Sequence, residues 1–465
     1  MTTPVTPGFA LHGEPTRALS EFTANTPGNA IPNDMVCCVE EFLLDLAGHT
    51  AYASRFAVSS PAFLKGVRAL EPSGQGCTVI GQSDNWSPGQ ATLLNGTFAH
   101  TMDFDDTYAL GALHPGAPVI PAALAAAEQI GDASGRTLLD AIAVGYEVVC
   151  RVGAAMFADS VYDRGFHTTS VAGIFGAVAA AGRMRGLDAA TIETAFGLAG
   201  SLAAGSMQYL DNGAWNKRAH PGFAAHNALI ALSLAQAGVL GAHEPLAGRY
   251  GVLTGYTDQP RAHLLTEGLG TLWTAKDTGI KPYPSCRFTH GAVDAALELR
   301  GRLSAEARRA AVLQIELSPK AFQIVGEQQP NKISAGNTVE GQFSVYFQTA
   351  VAWLDGKVEW QSYERLGAED IEVLTHRMKV SINPEVASFG ARLSVQGHPE
   401  LVHQVDEPSG EPSTPLGRPR LRQKFLSLAE PVYGKAGAER IAERLLNLRN
   451  EPSAKDLIVA LRSPQ

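Results

Sequence analysis

Runs of small residues constrain the fold of this chain more than any other feature of its sequence. Residues 171–186 (VAGIFGAVAAAGRMRG) and 197–207 (GLAGSLAAGSM) consist mostly of alanine, glycine and other small or apolar residues. In residues 33–48 and 137–157, apolar residues recur at three- and four-residue spacing, which indicates helices. Because small side chains let helix axes approach closely, residues 32–269 are predicted to form a tightly packed helical bundle.

The pattern changes after about residue 276. Residues 311–319 (AVLQIELSP), 376–384 (HRMKVSINP) and 391–396 (ARLSVQ) alternate between apolar and polar positions, as β-strands do. Residues 343–356 (FSVYFQTAVAWLDG) read as a helix that ends at its glycine. The sequence therefore predicts a smaller α+β domain after the helical one.

The last part of the chain returns to a helical pattern. Residues 405–419 are rich in proline, serine and glycine and are predicted to form an exposed loop, and residues 437–450 again have helical spacing. The predicted fold is therefore mainly α. It has a large all-helical domain over residues 1–275, an α+β lid domain over residues 276–405, and residues 406–465 packing back on the helical domain.

Composition excludes several classes of protein. The chain of 465 residues is 45% apolar and 18% charged with a net charge of −9 and no basic run, which argues against a nucleic-acid partner. Its longest apolar stretch, residues 221–243, is interrupted by polar residues and indicates a buried helix rather than a membrane span. The five cysteines form no C-x-x-C motif, and the N-terminus resembles no signal peptide, so a reducing cytoplasm is expected.

The most polar cluster in the apolar first half is residues 100–118 (HTMDFDDTYALGALHPGAP). A helix over residues 98–108 would place His100, Asp103 and Thr107 on one face and direct Asp105 elsewhere. The prolines that follow would leave His114 on a loop that turns back over this face. The cluster could instead be a solvated helix end. Because it lacks H-E-x-x-H, EF-hand and D-D-x-x-D spacing, no metal site is expected.

Three further motifs carry candidate site residues. Residues 165–177 (GFHTTSVAGIFGA) place His167 before a helix, where it could contact a ligand or be a hydrogen-bonded core histidine. Residues 213–226 (GAWNKRAHPGFAAH) bring Lys217 and Arg218 together, which suits an anionic ligand or a structural ion pair.

The third motif, residues 281–296 (KPYPSCRFTHGAVDAA), adds Lys281, Cys286 and Arg287. The two cations suit an anionic ligand, as those of the preceding motif do. Cys286 could be a nucleophile only if its surroundings favoured the thiolate, which the sequence does not indicate.

Together these motifs resemble the MmgE/PrpD family, which contains 2-methylcitrate dehydratases, cis-aconitate decarboxylases and an iminodisuccinate epimerase. The likeness extends from about residue 32 to the C-terminus. It implies a large helical domain with an α+β lid, a homodimer, no required metal or cofactor, and a small di- or tricarboxylate substrate. By motif, it implies that the site is lined by Asp103, Thr107, His114, His167, Lys217 and Lys281.

Two positions depart from the family pattern. Cys286 stands where the decarboxylases carry a histidine, and Ser344-Val345-Tyr346-Phe347 stands where many members read S-L-P-Y. These departures make decarboxylation of cis-aconitate the least expected activity. With these departures and its compact length, the chain resembles the bacterial epimerase-like members more than the 2-methylcitrate dehydratases.

The resulting hypothesis is an enzyme that removes a proton from a carbon next to a carboxylate. His114 and His167 would transfer the proton, Asp103 would orient or polarise one of them, and Lys217 would stabilise the negative charge. Substrate contacts are expected from Thr107, Arg218, Lys281, Arg287, Cys286 and Tyr346. An epimerase of the iminodisuccinate type is expected. The alternatives are a hydro-lyase of the 2-methylcitrate dehydratase type and a non-catalytic carboxylate-binding protein.

Overall fold

Helices form most of the first 260 residues. The computed structural model describes residues 14–70 and 76–464. The helices of this first part are α1 (Pro15–Asn25), α2 (Asn33–Phe56), α3 (Ser60–Leu70), α4 (Pro88–Thr101), α5 (Gly116–Ile130), α6 (Gly135–Met156), α7 (Ala158–Asp163), α8 (Thr168–Met184), α9 (Ala189–Ala199), α10 (Asn216–Gln236) and α11 (Val252–Tyr256). Two short antiparallel ribbons accompany them, β1 (Cys77–Thr78) with β2 (Asn85–Trp86), and β3 (Thr107–Tyr108) with β4 (Thr278–Gly279).

A smaller α+β part follows. Its helices are α12 (His290–Arg300), α13 (Ala305–Ala310), α14 (Pro319–Ala321), α15 (Pro330–Ile333), α16 (Thr338–Gln342), α17 (Val345–Asp355) and α18 (Glu369–Thr375). Its strands are β5 (Leu313–Leu317), β6 (Lys379–Ile382), β7 (Ala391–Val395) and β8 (His398–Val405). They form one sheet in the order β6-β5-β7-β8, in which β5 and β6 are parallel and the other pairs antiparallel.

Two final helices, α19 (Gly417–Leu446) and α20 (Ala454–Ala460), return to the first part. Gly434, with φ of 68°, kinks α19. Short 3-10 helices lie at Gly28–Ala30, Gln208–Asp211, Ala262–Leu265, Thr274–Asp277, Arg287–Thr289, Trp360–Arg365 and Leu448–Asn450, and a π-helical turn at Phe322–Gly326.

The buried apolar side chains form two cores. One is built by α1–α11 with α19 and α20, hereafter the helical unit, and its members run as far as Ala275 before resuming at Leu421. The other is built by α12–α18 with the four-stranded sheet, hereafter the sheet unit, and begins at Tyr283. The prediction of a mainly α fold with a smaller α+β part is confirmed. The proposed division between residues 275 and 276 stays a prediction. Within the described residues, no helix has the length and hydropathy needed to cross a membrane.

Glycines allow α4 and α10 to cross closely. A Cβ on Gly222 would lie 2.3 Å from the carbonyl oxygen of Leu93, and a Cβ on Gly96 would lie 2.7 Å from the Cα of Gly222. Backbone atoms that close cannot move aside without separating the two helices. Gly96 and Gly222, which lie outside the two small-residue runs noted in the sequence, therefore set the distance between α4 and α10.

Replacing Gly222 with alanine is expected to lower the free energy of unfolding by about 1–3 kcal/mol or more, because the added methyl group overpacks a backbone contact. Urea unfolding monitored by circular dichroism measures this change. Gly66→Ala is the matched control, since a Cβ there meets no atom within 4 Å and α3 should gain helix propensity. Equal stability of the two variants would contradict the close-packing account.

Candidate active site

A cavity lies between the helical unit and the sheet unit. Its empty volume is about 870 Å³, part of it open to solvent. Most of the residues predicted from sequence to form the site line this central cavity, and they are Asp103, Thr107, His114, His167, Lys217, Lys281, Cys286 and Arg287. The structure thus brings together side chains that are distant in the chain. Asp103 and Arg287, for example, are 184 positions apart.

The loop after α4 presents Asp103 to the cavity. The predicted helix over residues 98–108 is wrong, because α4 ends at Thr101 and Asp103 has a left-handed φ of 53°. This conformation is unfavourable for a residue with a Cβ. It is held by Lys281, whose Nζ donates to the carbonyl oxygen of Asp103 at 2.9 Å and to its Oδ1 at 2.7 Å. Pairing of β3 with β4 delivers Lys281 to this position.

Asp103 lies between two ammonium groups. Its Oδ1 is 2.7 Å from the Nζ of Lys281 and 3.1 Å from the Nζ of Lys217. Burial opposes ionisation, but the two lysines hold the pKa of Asp103 well below its usual value. Its other oxygen, Oδ2, is buried and has no hydrogen-bond partner among residues 14–70 and 76–464. Because an ionised carboxylate only accepts hydrogen bonds, Oδ2 is a buried acceptor that no donor of the described residues satisfies.

Asp105 faces two imidazoles, and the expectation that it points elsewhere is wrong. Its Oδ2 lies 2.7 Å from Nδ1 of His100, which is a hydrogen bond. Its Oδ1 lies 3.3 Å from Nδ1 of His114, a close polar contact without hydrogen-bond geometry. Burial opposes ionisation of Asp105, but the two imidazoles hold its pKa well below the usual value. In a neutral imidazole, a carboxylate facing Nδ1 favours the tautomer with Nδ1–H, so that Nε2 of His114 is the nitrogen with the free lone pair. His114 lines the cavity, whereas the side chain of His100 is fully buried.

His167 and His220 form a neutral pair on another wall. Their Nδ1 atoms are 3.1 Å apart, so one nitrogen donates and the other accepts. Burial lowers the pKa of His167 well below its usual value and that of His220 to about 4. His167 is therefore both a hydrogen-bonded buried histidine and a lining residue of the central cavity. His220 was not predicted, although it lies three residues after Lys217 in the same sequence motif.

Cys286 and Arg287 reach the cavity just before α12. Burial, with a contribution from the Asp103 carboxylate, raises the pKa of the Cys286 thiol to about 11. It is therefore a thiol rather than a thiolate at neutral pH, which disfavours the nucleophile interpretation. Arg287 donates from Nη1 to the hydroxyl of Thr107 and pairs through Nη2 with Glu411.

Two predicted substrate contacts, Arg218 and Tyr346, lie outside the central cavity. Arg218 follows Lys217 on α10, and successive helical residues point about 100° apart. Its Nη1 therefore donates elsewhere, to the hydroxyl of Ser59 at 2.7 Å. The Tyr346 hydroxyl donates to the carbonyl oxygen of Gly326 at 2.9 Å inside the core of the sheet unit. The aromatic residue that this segment contributes to the cavity is Phe343.

Lys424 of α19 holds two segments of the site together through buried polar contacts. This role was not predicted from the sequence. Its buried Nζ lies 2.7 Å from Oδ1 of Asp45. The same atom donates to the carbonyl oxygen of Phe104 at 3.0 Å and to that of Lys281 at 2.9 Å. One ammonium group therefore ties the loop that carries Asp103 and Asp105 to the segment that carries Lys281.

The same imidazoles could in geometry hold a cation. Ligand atoms of His100, Asp105 and His114 all lie within 4.8 Å of one another. The expectation of no metal, drawn from motif spacing, stays a prediction. Removing metals with a chelator and measuring turnover tests it, and unchanged turnover is the expected result.

A buried imidazole should make the protein less stable in mild acid. Burial lowers the pKa of His49 to about 3. The unfolded chain takes up a proton at this histidine near pH 6.5, whereas the native imidazole stays neutral. The contribution of His49 to the free energy of unfolding is therefore complete above pH 6.5 and is lost as the pH falls from 6.5 towards 3. The loss is up to about 1.4 kcal/mol per pH unit in that window.

Replacing His49 with glutamine should make the free energy of unfolding less steep in acid. Urea unfolding at several pH values between 7 and 4.5 measures the slope, and only the slope matters if the variant is less stable throughout. His376→Gln is the control, because this side chain is 61% exposed. Parallel slopes for wild type and His49→Gln would contradict the assignment of a neutral buried imidazole.

The sequence matches one protein family in both its N-terminal and its C-terminal parts. Residues 17–265 match the family model of the MmgE/PrpD N-terminal domain, and residues 283–449 match that of the MmgE/PrpD C-terminal domain. A cis-aconitate decarboxylase of Aspergillus terreus is 26% identical over 97% of this chain and 96% of its own length. The cis-aconitate decarboxylase-like protein oryM of Aspergillus oryzae is 27% identical, with 97% of each chain covered. The cis-aconitate decarboxylase of Homo sapiens is 27% identical over 83% of this chain and 82% of its own length.

Proposed function

The chain belongs to the MmgE/PrpD family, and we propose that it is a cofactor-independent enzyme that epimerises a small polycarboxylate by removing the proton next to a carboxylate. The observation that carries this proposal is the imidazole of His114, which faces Asp105 in a cavity shared with two lysines. A base, fixed positive charge and room for a small molecule are the elements that carbon-acid chemistry requires.

The lysines suit the charge that develops in the reaction. When a proton leaves the carbon next to a carboxylate, the electron pair moves onto the carboxylate oxygens. Lys217 and Lys281 share a single Asp103 carboxylate, so this group of three side chains has a net positive charge. Arg287 adds a further cation on the cavity wall, with Glu411 as its partner. These positive charges are already in place, so they can stabilise the negative charge of the intermediate without rearrangement of the side chains.

The unpaired Oδ2 of Asp103 supports a substrate that carries a hydrogen-bond donor, which would reach this buried atom once the side chains around it shift on binding. Iminodisuccinate has an N–H beside its reacting carbon, and hydroxy acids have an O–H. The fully ionised form of cis-aconitate has neither, so it would leave this buried acceptor unpaired, which is costly. An amino- or hydroxy-substituted polycarboxylate therefore fits the site better than cis-aconitate does.

Epimerisation needs a second proton-transfer group, and we propose Cys286 rather than His167, because the Nδ1 atom of His167 is already paired with that of His220. His114 comes from the helical unit, whereas Cys286 lies beside the core of the sheet unit. His114 Nε2 takes the proton from the carbon, and the Cys286 thiol gives its proton to the other face. Imidazolium and thiolate remain, and proton exchange with solvent restores both. Lys281 favours the transient thiolate, since it acts to lower the pKa of Cys286 against the effect of burial.

A lyase is the second candidate function. The similarity to a cis-aconitate decarboxylase and to a cis-aconitate decarboxylase-like protein covers nearly the whole chain. In a decarboxylation, the same cavity would protonate the carbon that is left after carbon dioxide departs. The hydro-lyase alternative would need an acid that protonates a departing hydroxyl group. Both lyase reactions change the carbon skeleton or its saturation, whereas epimerisation changes neither.

Proton NMR of the purified protein with a substrate panel separates these functions. The panel contains the stereoisomers of iminodisuccinate, citrate, 2-methylcitrate and cis-aconitate, each with and without a chelator. The proposal expects the iminodisuccinate stereoisomers to interconvert, with the same rate after chelation. New vinylic signals from citrate or 2-methylcitrate would show a hydro-lyase, and carbon dioxide release from cis-aconitate would show a decarboxylase. Either result would overturn the epimerase.

A further inference from the structure

A second cavity between the two units contains a buried cation. It has an empty volume of about 810 Å³, part of it open to solvent, and shares no lining residue with the central cavity. The end of α2 and the loop after it form one wall, which includes Tyr52 and Phe56. The sheet unit forms the other, which includes Trp360 and Tyr363. Arg218 lies between them, and we name the space the Arg218 cavity.

The guanidinium of Arg218 has no negative partner among the described side chains. Arg218 is only 6% exposed, and its Nη1 donates to the hydroxyl of Ser59 at 2.7 Å. Its guanidinium carbon lies 5.6 Å from the ring centre of Trp215. Among the side chains that the structure describes, which do not include that of Asp211, no carboxylate lies within 4.0 Å of it. A buried charge without a counter-charge is unfavourable, and in a chain with a net charge of −9 an unpaired arginine is unexpected.

Two helix ends add to the positive potential there. Arg218 is the third residue of α10, and no acidic residue lies in the first turn of that helix. Its partner Ser59 immediately precedes α3, whose first turn also lacks an acidic residue. Helix N-termini favour anions and disfavour cations. Glu364 is the acidic residue on the cavity wall, and it stands apart from the guanidinium.

We propose that the Arg218 cavity binds a small oxyanion, either inorganic phosphate or the carboxylate of a metabolite. The anion would supply the charge that Arg218 lacks and would contact both units at once. This inference concerns binding and does not depend on the proposed epimerase activity.

Occupancy of this cavity is connected to the active site on both sides. On the helical unit, Arg218 is the neighbour of Lys217, which contacts Asp103. On the sheet unit, the hydroxyl of Tyr363 donates to the carbonyl oxygen of Pro284 at 2.6 Å, between Lys281 and Cys286 in the chain. A bound oxyanion would therefore hold in place the two segments that carry Lys217 and Lys281 of the central cavity.

Thermal unfolding and calorimetric titration of the full chain test the proposal, with inorganic phosphate and succinate as separate probes. The experiments use a Lys281→Met background, which removes a cation from the central cavity. At least one probe should raise Tm, because a ligand that binds only the native state stabilises it. Which probe binds more tightly identifies the source of the oxyanion.

Arg218→Met should weaken that binding at least about tenfold, since one charge-assisted hydrogen bond is worth on the order of tenfold in affinity or more. Arg249→Met is the matched control. Its guanidinium carbon also lies near an aromatic ring, 5.0 Å from that of Tyr250, but it is not part of the cavity. Equal stabilisation of the two variants, or no stabilisation of the parent by either probe, would overturn the proposal.

Glu364→Gln provides a second test if Arg218→Met does not fold. Removing the negative charge from the cavity wall should tighten anion binding severalfold, and unchanged affinity would contradict the proposal. A third outcome concerns a second copy of the chain. If Arg218→Met converts a dimer into monomers and neither probe binds the parent, a partner's carboxylate supplies the charge and the oxyanion site does not exist.

Discussion

Replacing His114 with alanine is expected to lower kcat by about 10²–10⁴-fold, the usual contribution of a positioned general base. The reason is geometric, because Asp105 leaves Nε2 of His114 as the free basic atom at the cavity wall. Substrate affinity should change little, since Lys217 and Lys281 remain in place. Steady-state kinetics and calorimetric titration measure the two quantities separately.

His263→Ala is the matched control for this experiment. The His263 side chain is 68% exposed and pairs only with Glu267 at 4.0 Å among the described residues, so turnover should be unaffected. A binding protein without activity would likewise retain its affinity after His114→Ala. It differs from the enzyme in showing no turnover in the wild type, and that result would refute the enzyme proposal.

Replacing Cys286 with alanine is expected to separate two processes that a two-base epimerase couples. Inversion at the carbon should fall by about 10²-fold or more, because the proton donor for the second face is lost. Exchange of the carbon-bound proton with solvent should continue, because His114 still removes and returns it on one face. Time courses of optical rotation and deuterium incorporation measure inversion and exchange in the same sample.

Cys38→Ala is a suitable control for the cysteine variant. Burial raises the pKa of Cys38 to about 11, as it does for Cys286, but Cys38 lies on α2 away from the central cavity. It should therefore change neither rate. If Cys286→Ala lowered exchange and inversion by the same factor, the thiol would only position the substrate and another group would serve the second face.

The regular parts of the fold were predictable from residue spacing. The three segments with alternating apolar residues became β5, β6 and β7, and the helix over residues 343–356 became α17, ending at Gly356 with a left-handed φ of 78°. Edge strand β8 was not predicted. Only Leu401 of this strand is fully buried, so its sequence lacks the alternation that a half-buried strand shows.

The central cavity was predictable as a set of residues but not as a geometry. The family motifs identified most of the residues that line it. The predicted direction of the Asp105 side chain was wrong, because we extended a regular helix beyond Thr101, where α4 ends. The left-handed turn at Asp103 reverses the directions of the following side chains, and it depends on Lys281, 178 positions later. Long-range contacts of this kind leave no local signal in the sequence. Arg218 was wrongly placed for a different reason. Its neighbour Lys217 lines the central cavity, whereas Arg218 itself lines the Arg218 cavity.

The most direct test of the account is the rate at which the protein exchanges the carbon-bound proton of iminodisuccinate in D₂O, followed by proton NMR. This measurement reports proton removal itself, before the outcome of the reaction is decided. We expect the signal next to the carboxylate to disappear in the presence of chelator, with the carbon skeleton unchanged, and we expect His114→Ala to slow this exchange by about 10²–10⁴-fold. Bound substrate that retains this proton through prolonged incubation would contradict the claim that the cavity is a proton-transfer site.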